Sequence, residues 1–248
     1  MMKFFVNNEN IVNEKIKISG SDVNHIKNVL RMKVGEKIEI CNNETSMNYI
    51  CTLTEIEKNY VIADIVQELT SNTEGNVKLH IFQGLPKADK MELIIQKGTE
   101  LGVSKFVPVQ LKRSIVKISG KDAEKKLLRW QKIAEVAAKQ CKRDIIPDVS
   151  HIVNINDICE IVSEYDLVLL CYEEENENYI KNELQKIKNS KEKLKIAVII
   201  GPEGGMAEEE VEILEKAGAK VVSLGKRILR TETVALMVSS IIMYELEK

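Results

Sequence analysis

No apolar run in this sequence approaches the roughly 18 to 20 residues that a membrane-crossing helix needs, so a bilayer span is not expected. The opening stretch, MMKFFVNNENIVNEK, is apolar too briefly and polar too soon to read as a secretory signal. None of the five cysteines sits in a C-x-x-C pair. Cys41, Cys51, Cys141, Cys159 and Cys171 lie far apart, the pattern of reduced thiols in a cytoplasmic protein without a zinc site. The histidines His25, His80 and His151 are equally scattered, so metal ligation has no candidate set. A nucleophile elbow G-x-S-x-G is missing, which removes the commonest serine-hydrolase signature. Repeats and low-complexity tracts are missing too. The single tryptophan, Trp130, is read as a core residue rather than a base-stacking platform.

What remains is an ordinary globular composition. The chain has 248 residues, 44% of them hydrophobic and 30% charged, enough for one large domain or two smaller ones. Its net charge of -2 hides a division along the chain. Residues 1–70 carry 8 Lys/Arg and 10 Asp/Glu, a net of -2, whereas residues 78–143 carry 16 and 6, a net of +10. Residues 144–248 carry 12 and 21, a net of -9. A basic segment of that size is expected to meet a phosphate backbone.

Residues 1–70 read as a small β domain with one helix, over about Asp22–Leu30, and strands at Lys37–Cys41, Tyr49–Ile56 and Tyr60–Val66. Asn42–Asn43 is expected to make a tight hairpin turn. The polar stretch 69–75 is the expected linker, and a second domain spans 76–248. There Val77–Phe82, a helix from about Lys90 to Leu101 with Asp89 as its cap, and Lys105–Val109 form a β-α-β unit, which implies a parallel sheet. A long amphipathic helix follows over Lys121–Lys142.

The stretch from Lys195 to Leu246 organises the second domain. It contains two apolar strands that stop at glycine, Ile196–Ile200 before Gly201-Pro202-Glu203-Gly204-Gly205 and Val221–Leu224 before Gly225. Each leads into a helix. Glycine lets a chain turn sharply and lets a ligand approach the backbone, and two such exits at the carboxyl edge of a parallel sheet form a natural crevice. A P-loop is excluded because Met206 and Ala207, not Lys-Ser or Lys-Thr, follow the glycines, and no G-x-G-x-x-G is present. The last helix, from Thr231, is apolar on almost every side. One sheet cannot cover all of it, so Leu236, Met237, Ile241 or Met243 are expected to pack against a second copy of the chain.

The motifs IGPEGG at Ile200–Gly205 and LGKRILRTET at Leu224–Thr233 resemble those of the RsmE family of SPOUT-superfamily methyltransferases. VLRMKVGE, KGTELGVSKFVPV and RWQKIAEVAAKQCKR extend the resemblance over nearly the whole chain. The resemblance implies a PUA-like β-barrel at the N-terminus and a trefoil-knotted α/β domain at the C-terminus. It also implies a homodimer and transfer of a methyl group from S-adenosylmethionine to N3 of a uridine in 16S ribosomal RNA of the small subunit. The weaker alternatives are a related enzyme acting on a ribose 2′-hydroxyl or another base, and an RNA-binding assembly factor without turnover.

The resemblance also assigns residues. The cofactor would be held by Leu170, Cys171, Tyr172 and Glu173, by Ile200, Gly201, Pro202, Glu203, Gly204 and Gly205, and by Ser223, Leu224, Gly225, Ile228, Leu229, Arg230, Thr233 and Val234. Arg230 would stabilise charge on the base carbonyl and Glu232 would accept a proton or orient Arg230. RNA would meet Lys3, His25, Arg31, Arg113, Ser114, Lys139, Gln140 and Arg143. The chain departs from the family pattern at Met206, usually aromatic, at Val234, usually alanine, and at Lys3, usually arginine.

Overall fold

A computed structural model describes residues 1–70 and 73–248; Ser71 and Asn72 of the expected linker lie outside the described residues. The chain forms two compact units, Met1–Glu74 with Lys139–Ile146, and Gly75–Ala138 with Pro147–Lys248. Residues 139–146 fall inside the range expected for the second domain, yet they group with the first unit.

The first unit is a six-stranded sheet of β1 (Lys3–Val6), β2 (Ile11–Val12), β3 (Lys15–Ser19), β4 (Lys37–Asn42), β5 (Asn48–Ile56) and β6 (Tyr60–Leu69), in the order β1-β4-β5-β6-β3-β2. Only the β1–β4 pair is parallel. β3 alternates strictly, with Lys15 and Lys17 outward and Ile16 and Ile18 buried, as a sheet with one wet face requires. Helix α1 (Ser21–Asn24) continues as a π-helical turn over His25–Val29, which turns Val23 and Ile26 into the same core as Phe4, Ile38, Ile40 and Leu53. The expected tight turn at Asn42–Asn43 is a longer loop. Asn42 Oδ1 accepts the N–H groups of Glu44 (3.0 Å) and Thr45 (3.4 Å), so asparagine does its turn work through its side chain.

The second unit is a six-stranded, wholly parallel sheet of β7 (Val77–Gly84), β8 (Val103–Val109), β9 (Asp148–Val149), β10 (Leu167–Cys171), β11 (Leu194–Ile200) and β12 (Lys220–Val222), in the order β12-β10-β11-β7-β8-β9. Its helices are α2 (Lys90–Glu100), α3 (Gly120–Gln140), α4 (Ile155–Ile161), α5 (Ile180–Ile187), α6 (Glu208–Ala217) and α7 (Thr231–Leu246). All five residues of β10 are buried, as a central strand covered on both faces must be. Trp130 is also buried, as expected. Asp89 stands at the N-cap of α2, but its side chain makes no capping bond. In α6, Glu210 accepts the Ala207 N–H (3.1 Å) and Gly218 ends the helix at a φ of 115°. β10, β11 and β12 run side by side, so their carboxyl ends open onto one edge.

Candidate active site

Three strand exits converge at that edge: residues 172–178 after β10, Gly201–Gly205 after β11 and Ser223–Arg230 after β12. Between them lies a cavity of about 410 Å³, within the range of small-molecule sites. Its lining includes Cys171, Tyr172, Glu173, Ile200, Gly201, Pro202, Glu203, Gly205, Ser223, Leu224, Gly225, Ile228, Leu229, Arg230 and Val234. Of the remaining expected residues, Leu170 is fully buried in the core, while Gly204 and Thr233 are exposed beside the cavity rather than lining it.

Glycine is needed where the exits fold closely. A Cβ on Gly201 would lie 3.2 Å from the Gly205 carbonyl carbon and 3.3 Å from Met206, so a side chain there would push the returning loop outward by a few tenths of an ångström. A Cβ on Gly84, at the end of β7, would lie 2.7 Å from the Pro202 nitrogen. Gly225 instead needs its backbone freedom, since its φ is 114° with open space around it.

Hydrogen bonds fix the walls. Gln83, fully buried, donates from Nε2 to Thr231 Oγ1 (2.8 Å), and Thr231 Oγ1 donates to the Gly201 carbonyl (2.7 Å). Asn178 Nδ2 donates to the Val221 carbonyl (2.9 Å) while Ser223 N–H donates to the Asn178 carbonyl (2.8 Å), which joins the first exit to the third. Glu175 accepts the N–H groups of Glu177 (2.7 Å) and Asn178 (3.0 Å); these bonds hold its carboxyl below the usual range. Burial pushes the Cys171 thiol up to about 12, so at the cavity floor it is a neutral apolar group and not a nucleophile.

The charged groups divide into two sets. Lys226, Arg227 and Arg230 are exposed, line the cavity, and have no side-chain partner among the described residues. Lys90 is engaged twice, with its Nζ 3.0 Å from Glu203 Oε1 and 3.2 Å from Glu232 Oε2. Glu232 therefore pairs with Lys90 and not with Arg230. The Glu232 Oε2 atom is shielded from solvent and, although at ion-pair distance from Lys90, lacks hydrogen-bond geometry to it. Glu203 Oε1 also accepts the Lys87 N–H (3.0 Å). Burial pushes the Glu203 carboxyl up, but that backbone bond and Lys90 outweigh it and hold it below the ordinary value.

Sequence reasoning missed Lys90, Asn176, Lys226, Arg227 and Thr231 as lining residues. One signal for Lys90 was available. It opens a helix, where the macrodipole disfavours a cation, so a lysine there calls for nearby carboxylates.

The expected RNA contacts fall into different surroundings. Arg31, Arg113 and Gln140 are exposed, and His25 is half-buried with its ring edge-on to Phe4. Arg113 reaches the Gly204 carbonyl at 3.5 Å. Ser114 is buried and its Oγ accepts the Leu111 N–H (3.2 Å), which closes a turn. Lys3 is buried against Asp144 and Glu39, Arg143 is buried on Glu74, and Lys139 is paired with Asp22 at 2.8 Å. None of those three cations is free.

The comparisons agree with this architecture. Residues 73–243 match the model of an RNA methyltransferase domain and residues 18–66 that of an RNA methyltransferase PUA domain. The chain is 39% identical over 231 residues to the ribosomal RNA small subunit methyltransferase E of Bacillus subtilis, covering 93% of this chain and 90% of that one. It is 34% identical to the protein of the same name from Mesomycoplasma hyopneumoniae, over 95% and 96% of the two chains. Among solved structures, the Neisseria gonorrhoeae ribosomal RNA small subunit methyltransferase E bound to S-adenosyl methionine superposes with a TM-score of 0.87 at 28% identity, over 100% of this chain and 98% of the other. A putative methyltransferase from Legionella pneumophila in complex with the same cofactor gives 0.87 and 28%, with the same coverage. A domain match over most of the chain, together with these identities, places the chain in the ribosomal RNA small subunit methyltransferase E family of RNA methyltransferases.

Proposed function

We propose that this chain transfers a methyl group from S-adenosylmethionine to N3 of a uridine in the 16S RNA of the small ribosomal subunit. The observation that carries the reading is the 410 Å³ cavity walled by both glycine exits, with the unpaired Arg230 on its rim. The residues present suit the cofactor: apolar walls from Ile200, Leu224, Leu229 and Val234, acceptors from Glu173 and Asn176, and backbone open to approach at Gly225. When bound, S-adenosylmethionine supplies an electrophilic methyl group on sulfur. The protein's part is then alignment and charge. The uridine N3 proton leaves to water, negative charge builds on the neighbouring carbonyls where the rim cation Arg230 can receive it, and the methyl donor departs as the neutral thioether S-adenosylhomocysteine. Glu232, held by Lys90, serves as a structural anion in this reading.

Three finer features belong to the same reading. The second unit is a trefoil-knotted SPOUT domain and the first a PUA-like barrel, with domains at about 1–70 and 76–248, of which residues 139–146 complete the first unit. The enzyme works in the cytoplasm on RNA, met through exposed cations such as Arg31 and Arg113. It acts as a homodimer through α7, on which Tyr244 is 88% exposed while Leu236, Met237, Ile241 and Met243 are partly buried. Sedimentation at micromolar concentration tests the last point, and a clean monomer would overturn it. Mass mapping of modified nucleosides in small-subunit RNA, with and without this protein, tests the reaction itself; an N3-methyluridine independent of the protein would refute it.

A further inference from the structure

We infer that Lys90 is a positioning residue of the methyl-transfer site, acting through Glu203 and Glu232. The inference rests on the methyltransferase reading above. Lys90 comes from the exit of β7, outside the two glycine loops, and its ammonium ties the first of them to the start of α7. Glu203 belongs to the loop after β11 and Glu232 to the first turn of α7, two residues past Arg230.

Arg230 has no tie of its own through its side chain, so its place on the rim is set by what holds the next residues. Thr231 is fixed from below by Gln83 and Gly201, at 2.8 and 2.7 Å. Glu232 is fixed from the side by Lys90 at 3.2 Å. Among the described residues no second cation pairs with the buried Glu232 Oε2, and the Lys90 side chain is itself only 26% exposed.

Helix stability does not explain this arrangement. Glu232 alone would suit the start of α7, but Lys90 is the first residue of α2, where the macrodipole opposes a cation. The two carboxylates offset that opposition; Glu203 lines the cavity, and Glu232 directly follows the lining residues Arg230 and Thr231. The side chain therefore stands where it ties a cavity wall to the start of α7 and not where it best serves its own helix.

The test compares Lys90→Met, which keeps the stem, with Lys90→Arg, which keeps the charge. Displacement of a positioning group by about 1 Å can lower a rate by about 100-fold. We expect Lys90→Met to lower kcat by about 10- to 100-fold while KM for S-adenosylmethionine moves less than about 3-fold, and Lys90→Arg to recover most of the loss. A kcat within about 2-fold of wild type, or a loss that arginine does not recover, overturns the inference. A second readout is independent of turnover. Carbon NMR titration of the Glu203 carboxyl should move upward in Lys90→Met, because one of the groups holding it down is gone; an unmoved titration means that the link is absent. Failure of the reaction reading is seen separately, as a wild type that moves no methyl group, and the Glu203 titration then decides on Lys90 alone.

Discussion

Two groups of cations in this chain look alike in the sequence and differ completely in their surroundings. Lys3, Lys139 and Arg143 of the first unit are tied to Asp144, Asp22 and Glu74, and the loop around Asp144 carries still more bonds. Asp144 also accepts Asn48 Nδ2 (2.7 Å) and the Thr73 N–H (3.3 Å), and its carbonyl faces the Cys41 thiol at 3.0 Å. Burial pulls the Lys3 ammonium down, but Asp144 and Glu39 outweigh it and hold it above its ordinary value. Lys226, Arg227 and Arg230 of the second unit stand on a cavity rim with no side-chain partner among the described residues. Charge in a sequence thus gives no role by itself. A cation already neutralised holds the fold together, and one left without a partner is available to a ligand.

The largest expected effect breaks the first group. Asp144→Ala leaves Lys3 buried without its main counter-charge, and loss of one partner of a buried pair costs about 3–5 kcal/mol. Chemical denaturation should show that loss of stability, and a change below about 1 kcal/mol would mean that the carboxylate contributes little. The effect is large because the loop 141–146 completes the first unit, although the sequence places it some seventy residues beyond the β domain.

Breaking the second group should leave the fold alone. Arg230→Ala removes an exposed side chain, so its melting temperature should match wild type. Loss of one preorganised charge-stabilising donor costs about 100- to 1,000-fold in kcat. Single-turnover methyl transfer at saturating cofactor measures it, and an unchanged rate would remove Arg230 from the chemistry.

A third test adds a cation where none can be accepted. His80 pairs through Nδ1 with the Tyr165 hydroxyl at 2.8 Å, and burial, then Lys195, Lys105 and Lys78, lower its pKa to about 4. The ordinary value is 6.5. Between pH 6.5 and 4 the unfolded chain binds a proton that the folded chain refuses, so stability is full above pH 6.5 and falls as the pH drops through this window. The loss should reach about 2 kcal/mol after discounting partial exposure. Replacing His80 with glutamine should flatten this part of the stability profile, and an equal slope in both proteins would place the transition in other groups.

The strands were the most legible part of the sequence, because β10 and β11 are short apolar runs that can only be buried on both faces. The glycine exits were legible for a similar reason, since Gly201 and Gly225 mark positions where a side chain is sterically or conformationally unwelcome. Pairing across sequence was not legible. Lys3 meets Asp144 and Lys90 meets Glu232, and such partners are chosen by the fold and leave no local pattern. The π-helical turn at His25–Val29 was likewise hidden, because its apolar spacing reads as an ordinary short helix.

The smallest effect sharpens the comparison within the first unit, where Arg31 and Arg143 have the same charge and opposite surroundings. Arg143 gives two hydrogen bonds to Glu74, at 3.1 and 2.6 Å, and is buried. Arg31 is exposed and its side chain has no partner among the described residues. If only unpaired cations meet phosphate, Arg31→Glu should lower the salt dependence of RNA binding, and its log–log slope should fall by about 0.7 to 0.9 for the one phosphate no longer neutralised. Folding stability should stay within about 0.5 kcal/mol of wild type, as for most surface changes. Arg143→Glu should do the reverse: it sets two carboxylates together in a buried place, lowers stability by about 3 kcal/mol or more, and leaves the salt slope of the protein that remains folded unaltered. Filter binding over a range of salt, beside denaturant melts of the same preparations, measures both. A flatter slope for Arg143→Glu with wild-type stability would reverse the assignment, and would mean that the pair with Glu74 opens for RNA instead of closing the fold.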